Sequence, residues 1–375
     1  MISTKALSAA KGTVGDDVIL KSSAELLLSF VSHQKQTVRC VASSALGRLA
    51  QLHPALINNL AQISFEKIKA PGPGPKANQI QKDQDEAAKS GFCLVLGDLH
   101  RFVGTRAKAS HIRTTGSILL SLAGDFRLGA VRNWATFSLS LVVEAVGPNF
   151  QSFIEPTLDC VLDQLLANDQ SHQAIKCLSK LLQALITVSG PELEMDENKD
   201  LLGVVSATLS VLESTDCVNE AILCLQQLQM FVPEYDSLPR ILPKICAYLR
   251  ESSSPQLQTV AIGCLRQLCQ RAPRQVSEMC ENEFERGIEG KLIELFDVPN
   301  GIELNQVKDT LNLLLGSRFD EKLDFWMGLV GQVFQASEEK TQSNEKVLDD
   351  NDSDHGQDDD DDEQMTSQSQ GERSF

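Results

Sequence analysis

Apolar positions recur with a period near 3.6 residues along almost the whole chain, and alternation with a period of two is almost nowhere to be found. This pattern predicts helices throughout and requires no strand. Short Gly, Pro, Ser and Asp punctuation divides the helical stretches, as expected of antiparallel helices joined by tight turns. One register recurs seven times: two small residues three apart, then Leu, then usually an aliphatic residue three further on. The first copy is Ala42, Ala45, Leu46, Leu49, and the second is Ser90, Cys93, Leu94, Gly97. The remaining leucines of the series are Leu139, Leu178, Leu225, Leu265 and Leu311. Positions i, i+3, i+4 and i+7 share one helix face, so each copy marks a helix with the same buried side.

Successive copies start 48, 45, 39, 47, 40 and 46 residues apart, room for two helices and two turns, which is the period of HEAT repeats. Five copies are followed by a proline, at Pro54, Pro148, Pro191, Pro233 and Pro273, each read as ending one helix and starting another. Partner helices fall between the register helices at 17–32, 55–68, 108–123, 150–166, 201–212, 238–249 and 284–296, with a last amphipathic segment at 322–334. The predicted fold is all-α: an α-solenoid of about seven HEAT-type hairpins, an armadillo-like superhelix. Small residues suit the points where stacked helices approach at roughly 8–10 Å, and the adjacent Leu fills the groove. Cys93, Cys177, Cys224 and Cys264 occupy the same slot as Ala45 and Ser138, so they read as core residues rather than reactive thiols.

Charge changes the picture at one end. The chain of 375 residues carries −17, of which −9 lies in residues 340–375, including the acidic run 358–363. Almost nothing apolar accompanies it, and the segment reads as a disordered, solubilising tail. The expected organisation is a flexible N-terminus at 1–14, a solenoid over 15–339 and the tail at 340–375. A Pro-Gly-rich loop inserted at 70–82 interrupts the solenoid. An acidic balance with pI near 4.8 argues against nucleic acid or an anionic membrane as a general partner. The N-terminus has no apolar core of secretory length, no window reaches about 18 apolar residues, and the cysteines form no Cys-x-x-Cys pair. An intracellular, reducing setting is expected.

Catalytic vocabulary is missing: there is no Gly-x-Ser-x-Gly elbow, no phosphate-cradling loop and no His-Glu-x-x-His helix. The prolines at 71–75 remove the amides that would hold phosphate. The six histidines are scattered, and His100 and His111, which could approach across a helix turn-around, lack a companion thiol or carboxylate pair. No catalytic residue, cofactor or metal ligand is therefore assigned. Arg39 and Arg132, each after a valine and three residues before a register position, are placed to bond turn carbonyls or an acidic residue such as Asp125. Arg48, Lys176, Lys180 and Arg266 lie along the register helices as the candidate partner-facing row, to be weighed against an ordinary solvated face.

Certain stretches are more specific than a generic repeat. The run Leu96-Gly97-Asp98-Leu99-His100-Arg101-Phe102-Val103-Gly104 is followed by Ser117-Ile118-Leu119-Leu120-Ser121-Leu122-Ala123 and by Val131-Arg132-Asn133-Trp134-Ala135. After them come Gly147-Pro148, Phe153-Ile154-Glu155-Pro156-Thr157-Leu158 and Gly190-Pro191-Glu192-Leu193. In that order they resemble the large HEAT repeat-containing protein 5 family over about residues 35–195, with weaker likeness to about 335. The resemblance implies a non-enzymatic cytosolic scaffold peripheral to trans-Golgi, endosomal or endocytic vesicle membranes. It further implies association with the clathrin adaptor complex and accessory proteins of the aftiphilin and synergin type. The implied roles are endocytosis, endosome-to-Golgi retrieval and protein localisation. Members of that family are several times longer, so the resemblance implies a fragment or short isoform. A competing reading is a nuclear transport receptor-like solenoid holding basic peptide cargo. Trp134 and Trp326 are isolated, however, and the residues before the tail carry only −8, so no acidic and aromatic row is visible.

Overall fold

The computed structural model describes residues 17–331 apart from 75, 107–108, 127–128, 168–170, 194, 196–198, 214–216, 234–237, 252–253, 285, 296–303 and 329. The proposed N-terminal segment 1–14 and the acidic tail 340–375 lie outside the described residues. The chain divides into two units, residues 1–314 and 315–375.

In the first unit the helices come in pairs. The partner helices are α1 (Asp17–Val31), α3 (Ala55–Lys69), α5 (Ala109–Ala123), α7 (Ile154–Leu166), α9 (Lys199–Glu213) and α11 (Leu238–Glu251). Each packs on the register helix that follows it: α2 (Gln36–Leu52), α4 (Gln79–Val103), α6 (Gly129–Val146), α8 (His172–Leu193), α10 (Val218–Phe231) and α12 (Pro255–Arg271). The register helices also pack on one another in chain order, from α2 on α4 to α10 on α12, forming a continuous inner layer. Two short helices, α13 (Pro273–Met279) and α14 (Gly287–Glu294), precede α15 (Leu304–Arg318), which carries the seventh register copy. Among the described residues no strand is present.

The seven register leucines all lie in the core, from 0% exposed at Leu46, Leu139 and Leu265 to 8% at Leu311. Glycines on the register helices mark close approaches between them. A Cβ added at Gly97 of α4 would lie 3.0 Å from the Ser138 backbone of α6, and one at Gly47 of α2 would lie 2.7 Å from the Asp98 carbonyl oxygen of α4. Cys93, Cys224 and Cys264 are fully buried, and burial pushes their thiols up to about 12. Inter-repeat hydrogen bonds reinforce the stacking: Cys224 donates to the Ser179 carbonyl at 3.5 Å, and Gln227 donates to Thr187 Oγ1 at 2.9 Å.

Local chemistry explains where the observed boundaries differ from those expected. Helix α4 begins at Gln79, inside the expected 70–82 loop, because Asn78 and Gln81 form a reciprocal capping box: Gln81 N–H donates to Asn78 Oδ1 at 2.9 Å and Asn78 N–H to Gln81 Oε1 at 3.3 Å. At its other end α4 stops at Gly104, whose φ of +60° suits glycine and whose N–H bonds the His100 carbonyl. Pro191 does not end its helix: α8 runs on to Leu193. A proline this close to the C-terminus forfeits only one bond, to the Thr187 carbonyl, where the ladder is ending anyway. The partner helix expected at 284–296 is present as the shorter α14, starting at Gly287 with φ +66°, and the unforeseen α13 precedes it because Pro273 starts a helix at once after α12.

The second unit is described from Leu315 to Gly331. Arg318 Nε bonds Glu321 at 2.9 Å, and the Phe325 and Trp326 rings meet edge to face at 5.7 Å, with Lys322 over Phe325. Among the described residues no helix is long and apolar enough to cross a membrane.

Candidate protein-interaction groove

On the register layer a cavity of about 380 Å³ spans four successive helices. Helix α2 contributes Gln36, Cys40 and Ser44; α4 contributes Leu94, Asp98 and Arg101; α6 contributes Ala130, Asn133, Trp134 and Phe137; and α8 contributes Gln173 and Cys177. Most of these positions sit beside the buried register stripe on the same helices. The repeat that buries Leu46, Leu94, Leu139 and Leu178 therefore also aligns a second, half-exposed stripe next to it.

Two aromatic rings and one cation, Arg101, line this stripe, with further cations over neighbouring rings. Trp134 and Phe137 stack edge to face at 5.9 Å and 85°, and Lys180 Nζ stands 4.8 Å over the Phe137 ring. Arg48 and Arg101 flank Phe102, with their guanidinium carbons 5.1 and 5.6 Å from its centroid. Such contacts hold each cation over a ring while leaving its solvent side open. At the floor lies Asp98, its carboxylate accepting the Ser43 hydroxyl and 3.8 Å from Arg101. Burial raises the Asp98 pKa, against the opposing pull of Ser43, Arg101 and Arg48. At one edge Glu86 accepts the Ala130 N–H at 2.9 Å, placing its carboxylate at the positive end of α6.

The row of cations expected from the sequence is distributed over several repeats. Lys180 adjoins the groove through Phe137, and Arg48 shares the Phe102 ring with the groove's Arg101. Lys176 lies 3.9 Å from Glu220 of the next repeat, and Arg266 lies 3.6 Å from Asp309. These two link neighbouring repeats. Arg39 donates to the carbonyls of His33 and Gln34 at 2.9 and 2.8 Å, latching the α1–α2 turn, whereas Arg132 stands over the Phe126 ring at 5.2 Å. Sequence reasoning missed Gln36 and Gln173 as groove residues; it quoted Asp98, Arg101 and Asn133 only for their resemblance, and Trp134 for that and as an isolated tryptophan. A usable signal existed, since Cys40 and Asn133 each sit two residues before a register start, and Trp134 and Gln173 one before.

His100 is buried, with Nε2 3.1 Å from Thr115 Oγ1, and burial, aided by the nearby His111, pushes its pKa down to about 4. His111 lines a separate cleft between α3 and α5, with Glu66 and Lys69 across it. Among the described residues no group of three His, Cys, Asp or Glu side chains could hold a metal ion.

The shift at His100 makes stability depend on pH. An unfolded histidine takes its proton near pH 6.5, whereas the folded one resists until about 4. His100 therefore costs nothing above the unfolded pKa and penalises the fold progressively as pH falls below it, by about 2 kcal/mol between pH 7 and 4.5. Asp98 acts in the opposite sense, because its raised pKa favours the folded state as pH falls. The check is the difference between the wild type and His100→Gln, which keeps a donor for Thr115. In urea titrations at the two pH values, the variant should lose about 2 kcal/mol less than the wild type on acidification. Equal losses would show that His100 titrates normally.

The paired helices and their continuous inner layer define an α-solenoid of HEAT type. No family model matches the chain. It is 27% identical over 239 residues to protein SWEETIE of Arabidopsis thaliana, a match covering 63% of this chain and 10% of that protein. The chain thus spans about a tenth of the length of that relative. A crystal structure of importin beta superposes with a TM-score of 0.43 at 12% identity, covering 78% of this chain and 44% of that one.

Proposed function

We propose that the chain is a non-catalytic scaffold that binds partner proteins on its register layer, and that it serves clathrin-adaptor-linked vesicle traffic. In this reading it works from the cytosol, peripherally on trans-Golgi, endosomal or endocytic vesicle membranes. It engages the clathrin adaptor complex and aftiphilin- or synergin-type proteins during endocytosis, endosome-to-Golgi retrieval and protein localisation. One observation supports it most directly. Asp98, Arg101, Asn133 and Trp134, four of the groove's lining residues, come from the stretches 96–104 and 131–135 that carry the resemblance to the HEAT repeat-containing protein 5 family. Core packing alone does not require a half-exposed Trp beside an exposed Arg.

Basic cargo is disfavoured, because the exposed charge lining the groove is Arg101, at 57%, while the Asp98 side chain is 7% exposed. The test is affinity capture on the full chain from cell extract, followed by mass spectrometry. Adaptor subunits and aftiphilin-type proteins should enrich together. Their absence alongside enrichment of unrelated partners would overturn the trafficking assignment.

A further inference from the structure

We infer that the groove across α2, α4, α6 and α8 binds an extended acidic peptide segment carrying an aromatic side chain, supplied by a partner protein. The inference rests on the scaffold reading and deepens it by naming the ligand chemistry.

Length sets the first constraint. Four helices stacked at about 9–10 Å span roughly 30 Å, more than most small molecules reach and close to about nine residues of extended chain. The cavity's volume, about 380 Å³, accommodates a few side chains along that path. Backbone recognition comes next. Gln36, Asn133 and Gln173 present amides from three different helices, and an amide both donates and accepts, which matches the alternating N–H and C=O of an extended peptide. Trp134 and Phe137, already edge to face at 5.9 Å, offer the half-exposed ring surface on which an aromatic side chain can stack.

Charge selects the sign. Arg101 lines the groove with its side chain 57% exposed, Lys180 stands over the Phe137 ring of the lining, and Arg48 shares the Phe102 ring with Arg101. The opposing charges are Asp98, buried and bonded by Ser43, and Glu86, whose carboxylate is engaged by the Ala130 N–H. An incoming acidic side chain thus meets the exposed Arg101, with Lys180 over the adjoining Phe137 ring, before the buried Asp98 carboxylate.

The experiment uses the full chain and a fluorescein-labelled peptide of about nine residues, made of Asp and Glu around a central Phe, with a Lys-substituted version as control. Binding is read by anisotropy and by the emission of Trp134 in a Trp326→Phe background. The acidic probe should bind, the Lys version should not, and Arg101→Glu and Gln173→Ala should each weaken binding, the first by about tenfold or more. Thermal melts of each variant confirm the fold, and Arg101→Gln supplies a milder second change. Stronger binding of the Lys version, or acidic binding indifferent to Arg101→Glu, overturns the inference. Displacement of the probe by a synthetic peptide of residues 347–364 at lower concentration than the probe itself would hand the groove to the chain's own tail and overturn the partner assignment. Adaptor capture that survives Arg101→Glu while the probe fails to bind sinks this inference alone. Probe binding without adaptor capture sinks the trafficking reading alone.

Discussion

Replacing Leu139 with alanine is expected to remove about 3–5 kcal/mol from the stability of the central repeats. Leu139 is fully buried on α6, the register helix that packs on α4 on one side and on α8 on the other. Truncation there leaves a void bounded by three helices, none of which can close it without losing contact elsewhere. Stacked repeats interact mainly with their neighbours, so the damage should be local rather than shared along the chain. Hydrogen exchange is the suitable measurement. Amides of α4, α6 and α8 should exchange far faster in Leu139→Ala, while those of α11 and α12 stay near wild-type rates. A loss below about 1 kcal/mol, or acceleration spread evenly over all helices, would contradict the ladder.

The second large effect concerns Gly91. A methyl group at this position of α4 would run into the carbonyl oxygen of Val31 at the end of α1, with the Val31 carbonyl carbon and Cγ1 both at 2.9 Å. The obstacle is backbone, so no rotamer change relieves it. Although alanine is intrinsically better than glycine in a helix by about 1 kcal/mol, Gly91→Ala should destabilise by about 3 kcal/mol or detach α1. Gly203 of α9 provides the contrast: nothing lies within 4 Å of its added Cβ, and Gly203→Ala should stabilise slightly. Limited proteolysis between α1 and α2, together with urea titration, distinguishes the two. A Gly91→Ala protein as stable as Gly203→Ala would mean that the close crossing of α1 and α4 is not rigid.

Features that depend on one helix face were legible in the sequence. Leu46 and its six counterparts are all buried because a period of 3.6 places i, i+3, i+4 and i+7 on one side whatever the neighbours are. Arg39 reached the turn carbonyls for a similarly local reason, lying only five and six residues from them. Features that depend on how helices sit beside one another were harder to see. The groove is one of these: Gln36, Arg101, Trp134 and Gln173 come from four helices and up to 137 positions apart in the chain, so no single-helix pattern names them together. Pro191 was read as a breaker because the rule describes helix interiors, and α8 extends just far enough to place it in a final turn. The boundary at Gln79 required the reciprocal Asn78 and Gln81 bonds, which competed with the Pro-Gly composition of the preceding residues.

Of the ten cysteines, eight are buried, and the fully buried Cys93, Cys224 and Cys264 fall on three different register helices. An alkylating reagent can reach such a thiol only when its own repeat breathes, since the closed state hides the sulfur and keeps it protonated. The chain therefore carries native reporters along its length, and the modification rate at each one reads the opening free energy of a single rung without any engineered probe.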